Sequence, residues 1–147
     1  MGPTDIPQPL RDLLHGQVLA VLSTHEGGQP YASLVGFAAA TDLKRLWFVT
    51  PRATRKYANL VADGRAALLI DNRAHCPEDF HAAMACTAVG TITEPAGAAR
   101  EQALATYCRR LPHLAEFARA PSCALVELAV SRYVTVTRFQ QVTEYVP

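Results

Sequence analysis

The sequence predicts a mainly β domain with short helices, built on an antiparallel sheet closed into a barrel. Strand-like runs cluster toward both ends of the chain, and the turns between the first three are short enough to make successive strands antiparallel neighbours. The helical stretches are brief and sit between strands as decoration. No internal repeat, low-complexity tract or linker divides the 147 residues, half of them hydrophobic, so a single domain over 1–147 is expected.

The elements follow in order. Pro9 to His15 carries Leu10, Leu13 and Leu14 at helical spacing and predicts a short amphipathic helix over about residues 9–15, acting as a lid. Val18 to Thr24 and Tyr31 to Ala40 are extended runs joined by Glu26-Gly27-Gly28-Gln29, a hairpin signature. Asp42 to Arg45 turns the chain into a third strand, Leu46 to Val49. A helix from about Arg55 should end near Asp63-Gly64, where glycine can take the left-handed conformation, and Ala66 to Ile70 resumes as a buried strand. Asp71 to His81 reads as a loop. Met84 to Thr93 is a further strand, with Gly90 a candidate bulge or close-approach point before Glu94-Pro95. Ala98 to Leu111 is a helix with Leu104, Tyr107 and Leu111 on one side, broken by Pro112 before a last turn around Leu114 to Phe117. Ala124 to Val130 and Tyr133 to Phe139 read as two final strands.

Chemistry concentrates where the third strand ends. In Trp47-Phe48-Val49-Thr50-Pro51-Arg52-Ala53-Thr54-Arg55-Lys56 the period changes from strand to helix on a run holding two threonines and three cations. A helix start presents main-chain N–H groups without intrahelical acceptors and a partial positive charge, so a phosphate suits it, neutralised by Arg55 and Lys56. Thr54 is the better N-cap; Thr50 is its rival, since Pro51 would then occupy the first helical position. The alternative is a capped helix with solvated cations.

Other patterns exclude more than they assign. A formal net charge of +1 and few aromatic residues disfavour a nucleic-acid surface. No apolar run approaches the roughly 20 residues that cross a bilayer, and the polar start Met1 to Pro9 lacks a signal-peptide core, so a cytoplasmic protein is expected. Cys76, Cys86, Cys108 and Cys123 lack close pairing and read as buried thiols in a reducing compartment. The loop His75-Cys76-Pro77-Glu78-Asp79-Phe80-His81 lacks the paired spacing of a zinc site, so no metal is assigned; His75 or His81 could donate a proton to substrate. Trp47 reads as core or dimer interface, and Arg109-Arg110 as a solvated helix end. No Ser-His-Asp order, nucleophile elbow or carboxylate pair is present, so the catalytic residues are unknown.

The order of elements, with Phe48-Val49-Thr50, Thr54-Arg55-Lys56 and Asn59-Leu60, resembles the pyridoxamine 5'-phosphate oxidase-like superfamily of FMN-binding split barrels. The resemblance runs from about Leu14 to Glu94 and more loosely through the last strands. It implies that Val49, Thr50, Thr54, Arg55 and Lys56 bind the flavin phosphate, and that Ser33, Leu34, Val35 and Gly36 offer backbone groups to the isoalloxazine edge. It also implies a homodimer with FMN at the interface, acting on a small-molecule substrate or a nicotinamide donor. Two departures stand out. Tyr31 to Phe37 contains no basic residue, and residues 133–141 contain no histidine, so the substrate signature of the vitamin B6 phosphate oxidases is missing. Alternatives are a non-catalytic flavin-binding or storage module, or a barrel that takes haem or a deazaflavin; His113 as the last histidine weakens haem.

Overall fold

A computed structural model describes residues 5–147; the first four residues of the polar start lie outside the described residues. The elements are α1 (Gln8–Gly16), β1 (Leu19–Glu26), β2 (Gln29–Ala39), β3 (Arg45–Pro51), α2 (Arg55–Ala62), β4 (Arg65–Asp71), α3 (Asp79–Ala82) and β5 (Ala85–Thr93). They continue with α4 (Gly97–Arg110), a 3-10 turn (Pro112–Leu114), α5 (Ala115–Arg119), β6 (Cys123–Thr137) and β7 (Gln141–Tyr145). The sheet order is β3-β2-β1-β4-β5-β6-β7, and the pairing of β3 with β6 closes the first six strands into an antiparallel barrel.

The β1–β2 hairpin is made by Gly27 and Gly28, both at positive φ, which lets a two-residue turn match the strand twist and set Glu26 opposite Gln29. Alternation then puts Leu22, Val35 and Phe37 inside the barrel with Leu68 and Ile70 from β4. β3 is buried on both faces: Leu46 and Phe48 fill the barrel, while Trp47 and Val49 lie under α4, against Leu104, Tyr107 and Leu111. That is why its sequence is apolar without alternation. α1 covers one end of the barrel with Leu10, Leu13 and Leu14 inside the core, a fixed stopper where a lid is expected.

Four local expectations need correction. Gly64 is not left-handed: the cap residue Asp63 is extended, and the Gly64 carbonyl already accepts from the Ile92 N–H, so the chain enters β4 without a Gly cap. The loop after β4 contains one helical turn, α3. The last two strands are one: Val89 pairs with Arg132 and Gly90 with Val130, leaving Ser131 as a bulge whose hydroxyl donates to the Val89 carbonyl at 2.9 Å. β7 then returns along β6 through a turn in which Arg138 and Phe139 both have positive φ, with no glycine or asparagine to announce it. Among the cysteines, Cys86 and Cys123 are buried, Cys108 is half-buried and Cys76 is exposed.

Candidate functional site: the seam between β2 and the β3–α2 junction

The barrel is incompletely zipped. β2 pairs with β1 along Gln29–Gly36, but with β3 only over Phe37–Ala39 against Leu46–Phe48. Beyond Phe37 and Phe48 the two strands part, while β3 stays paired to β6 through Pro51. The hairpin register, with the Phe37 N–H donating to the Val18 carbonyl at 3.0 Å, assigns the main-chain groups of Ser33 and Val35 to β1 and turns those of Ala32 and Leu34 toward the open seam. Ser33, Leu34, Val35, Gly36, Val49 and Thr50 thus border one opening. Gly36 also lets α4 approach, since a Cβ there would meet Leu111, Leu114 and the Tyr107 hydroxyl at 3.1–3.3 Å.

Side chains divide by face. Tyr31, Ser33 and Val35 share the face of β2 that carries Val35 and Phe37 into the core, opposite Thr24, Leu22 and Ala20 of β1, with Tyr31 still exposed near the hairpin. The Ser33 Oγ is buried and has no hydrogen-bond partner, an uncompensated hydroxyl beside the seam. Leu34 faces outward and is 68% exposed, next to Leu19 at 58%. These two border a groove of about 370 Å³ shared with Val21, Leu69, Arg73 and His75, the last at positive φ.

The start of α2 closes the opening from below. Thr54 is the N-cap: its Oγ1 accepts from the Tyr57 N–H at 3.3 Å and donates to the Pro51 carbonyl at 2.8 Å. Thr50, fully buried, sits behind it with the two hydroxyl oxygens 3.0 Å apart. The Arg55 and Lys56 N–H groups occupy the first helical positions, where no intrahelical acceptor exists. Neither side chain joins an ion pair among the described residues. The Arg55 guanidinium lies over the Tyr31 ring, 5.5 Å from its centroid, tying the helix start to β2. Buried Asn59 donates to Thr24 at 3.0 Å and anchors the helix to β1.

Arg52 belongs elsewhere. It donates to the Pro121 and Cys123 carbonyls, both at 2.9 Å, and its other terminal nitrogen lies 3.8 Å from the Glu94 carboxylate, so Arg55 and Lys56 are the two cations read from the sequence that no carboxylate claims among the described residues. Tyr31 is the residue beside the junction that sequence reading did not single out; its alternation with Ser33 was the one signal. Asn59 was read only as part of the family likeness, without a role. The His75–His81 loop is organised by Asp79, whose carboxylate accepts from the Ala74, His75 and Cys76 N–H groups and is held below the usual range chiefly by the first of these. The Cys76 thiol is pushed up, mainly by its hydrogen bond to Glu78, so it is no activated nucleophile. No cluster of three metal-ligating side chains occurs among the described residues. Trp47 is core, its Nε1 donating to Glu127 at 2.8 Å.

A family profile described as Pyridoxamine 5'-phosphate oxidase matches residues 6–137. The chain belongs to this family. No curated protein matches it. Among solved structures, a haem-binding protein from Mycobacterium smegmatis superposes with a TM-score of 0.83 at 18% identity, covering 92% of this chain and 55% of its own. This chain therefore spans about half of that longer relative. The haem storage protein HutZ from Vibrio cholerae gives 0.74 at 14% identity, over 89% of this chain and 94% of its own. A FAD-binding protein from Mesorhizobium loti gives 0.69 at 13%, over 86% and 89%. At such identities these likenesses show the barrel fold and nothing finer. Among the described residues no helix is long and apolar enough to cross a membrane.

Proposed function

We propose that the seam binds FMN, with the phosphate at the start of α2 and the ring along Ser33–Gly36, and that the protein is an oxidoreductase acting on a small substrate or a nicotinamide donor. One observation carries this reading: the two acceptor-free N–H groups that open α2, with Arg55 over Tyr31 of β2 and neither Arg55 nor Lys56 in an ion pair among the described residues, adjoin an unzipped stretch of sheet whose buried Ser33 hydroxyl lacks a partner. Arg55 and Lys56 hold the phosphate, Ala32 and Leu34 offer main-chain groups to the ring, and α1 keeps water from the barrel end. Bound FMN supplies the redox chemistry itself, so the protein's task is to bind and orient. The missing basic residue in Tyr31–Phe37 argues against a vitamin B6 phosphate as substrate. A homodimer fits the exposed Leu19 and Leu34, which a second copy would cover; sedimentation as a monomer at micromolar concentration would remove that part. Free thiols suit a cytoplasmic setting.

The absorption spectrum of the purified protein tests the reading. A flavin spectrum, or calorimetric uptake of FMN at micromolar concentration with a gain in melting temperature, is the expected result; no uptake rejects it. A second reading, a non-catalytic flavin carrier, draws on the absent substrate signature and predicts bound FMN that neither NADH nor NADPH reduces. A Soret band would instead indicate haem.

Ser33→Ala separates ligand from fold. Removing a buried hydroxyl that has no partner should leave the flavin-free protein unchanged or up to about 1 kcal/mol more stable, while FMN binding weakens. Denaturant unfolding and FMN titration of the same variant read both; a marked loss of flavin-free stability would mean that Ser33 serves the fold.

A further inference from the structure

A groove runs along one flank of α4, away from the side that Tyr107 and Leu111 turn to Gly36. Ala99, Gln102, Thr106 and Arg110 recur there every three or four residues, and two hollows share Thr106. One, of about 360 Å³, lies beside Asp42, Arg45 and Trp47. The other, of about 240 Å³, lies between Leu14 and His15 of α1, Ala38 and Ala39 of β2, and Arg109 and Arg110. Of its two alanines, Ala38 turns its methyl to the α4 side and Ala39 to the barrel core.

The second hollow is unusual in its charge. Its wall holds two guanidinium groups and an imidazole and no carboxylate. Arg110 is fixed there by one terminal nitrogen, Nη2, which donates to the Gly16 carbonyl at 2.7 Å and the Gln17 carbonyl at 3.4 Å, leaving its Nη1 and Nε donors for a ligand; Arg109 donates to the Thr106 hydroxyl at 3.5 Å. Neither Arg109 nor Arg110 joins an ion pair among the described residues, while Arg11, on the same helix as His15, donates to the Ile6 carbonyl at 3.1 Å and lies outside the hollow's wall. Asp12, the acidic neighbour on α1, accepts from Gln8 at 2.7 Å. His15 is held below its ordinary value by burial first, then by Arg11 and Arg110. Like charges gathered in a concave site repel unless a counter-ion joins them.

We propose that this hollow binds the phosphate group of a small phosphomonoester whose carbon body lies along α4 toward Trp47 and Arg45. Two fork-shaped guanidiniums match a dianion better than a single carboxylate. The site shares no residue with the seam, so it stands whether or not FMN binds there.

Its test uses the Arg55→Ala, Lys56→Ala protein, which lacks the seam's cations, with glycerol 3-phosphate as the probe, followed by calorimetry and by the His15 imidazole resonance. Binding at submillimolar concentration is expected, with the His15 signal moving and its pKa rising beside the dianion. Arg109→Gln should weaken binding about tenfold or more, Arg109→Lys should recover part of it, and succinate should bind at least about tenfold more weakly than the phosphate. No heat with an unmoved His15 resonance, an Arg109→Gln variant that binds as before, or succinate binding equally well would each overturn the assignment.

Discussion

Replacing Arg55 and Lys56 together with alanine is expected to weaken FMN by about a hundredfold or more while leaving riboflavin nearly unaffected, because only FMN carries the phosphate. Hydrogen bonds to charged groups contribute about 1.5–3 kcal/mol each, and two of them, discounted for the exposure of Arg55, amount to roughly 3 kcal/mol. The helix-start N–H groups and the Thr54 cap survive the substitution, so some phosphate affinity should persist. Because Arg55 also lies over Tyr31, a small loss for riboflavin is allowed. Titration of both flavins into wild type and variant decides it: equal losses would mean that the cations serve the fold or the ring, and the α2 start would no longer be the phosphate site.

Gly90→Ala should cost the most stability of any single methyl added to the glycines among the described residues. A Cβ at residue 90 would lie 2.0 Å from the Ala129 carbonyl oxygen and 2.9 Å from its carbon, atoms of the β6 backbone opposite the bulge. No side-chain rotation relieves that contact; either β5 and β6 separate or the bulge moves, and both disturb the strand pair that carries β6 back to β3. A loss of about 3 kcal/mol or more is expected from such overpacking. Gly16→Ala is the control, since nothing lies within 4 Å of a Cβ there. Urea midpoints of the two variants test this; a Gly90→Ala midpoint close to that of the control would show that the bulge can shift without strain.

The hairpin at Gly27-Gly28, the apolar run of β3, the Thr54 cap and the close backbone approach at Gly90 were all legible because each rests on a local rule: positive φ, double-sided burial, an acceptor at a helix start, a residue without Cβ. β7 was not, since its turn forces Arg138 and Phe139 into a conformation that their side chains do not advertise. The continuity of β6 was hidden for a related reason: Ser131 looks like a turn residue, and only pairing with Val89 and Gly90 makes it a bulge. Arg52 carried the same charge signal as Arg55 and Lys56, yet carbonyls about 70 residues away in sequence claimed it.

From the chain alone came the elements and their order as far as the start of β6, apart from the turn α3, and the capped strand-to-helix junction at Thr50–Lys56, because periodicity and capping act between residues a few positions apart. Tertiary structure alone decided where the sheet unzips, which cations stay unpaired, that Ser33 buries a hydroxyl without a partner, and that α1 and α4 enclose a cationic hollow. Those outcomes depend on which distant segments compete for the same hydrogen bonds and the same space, a competition that becomes defined only once the barrel has closed.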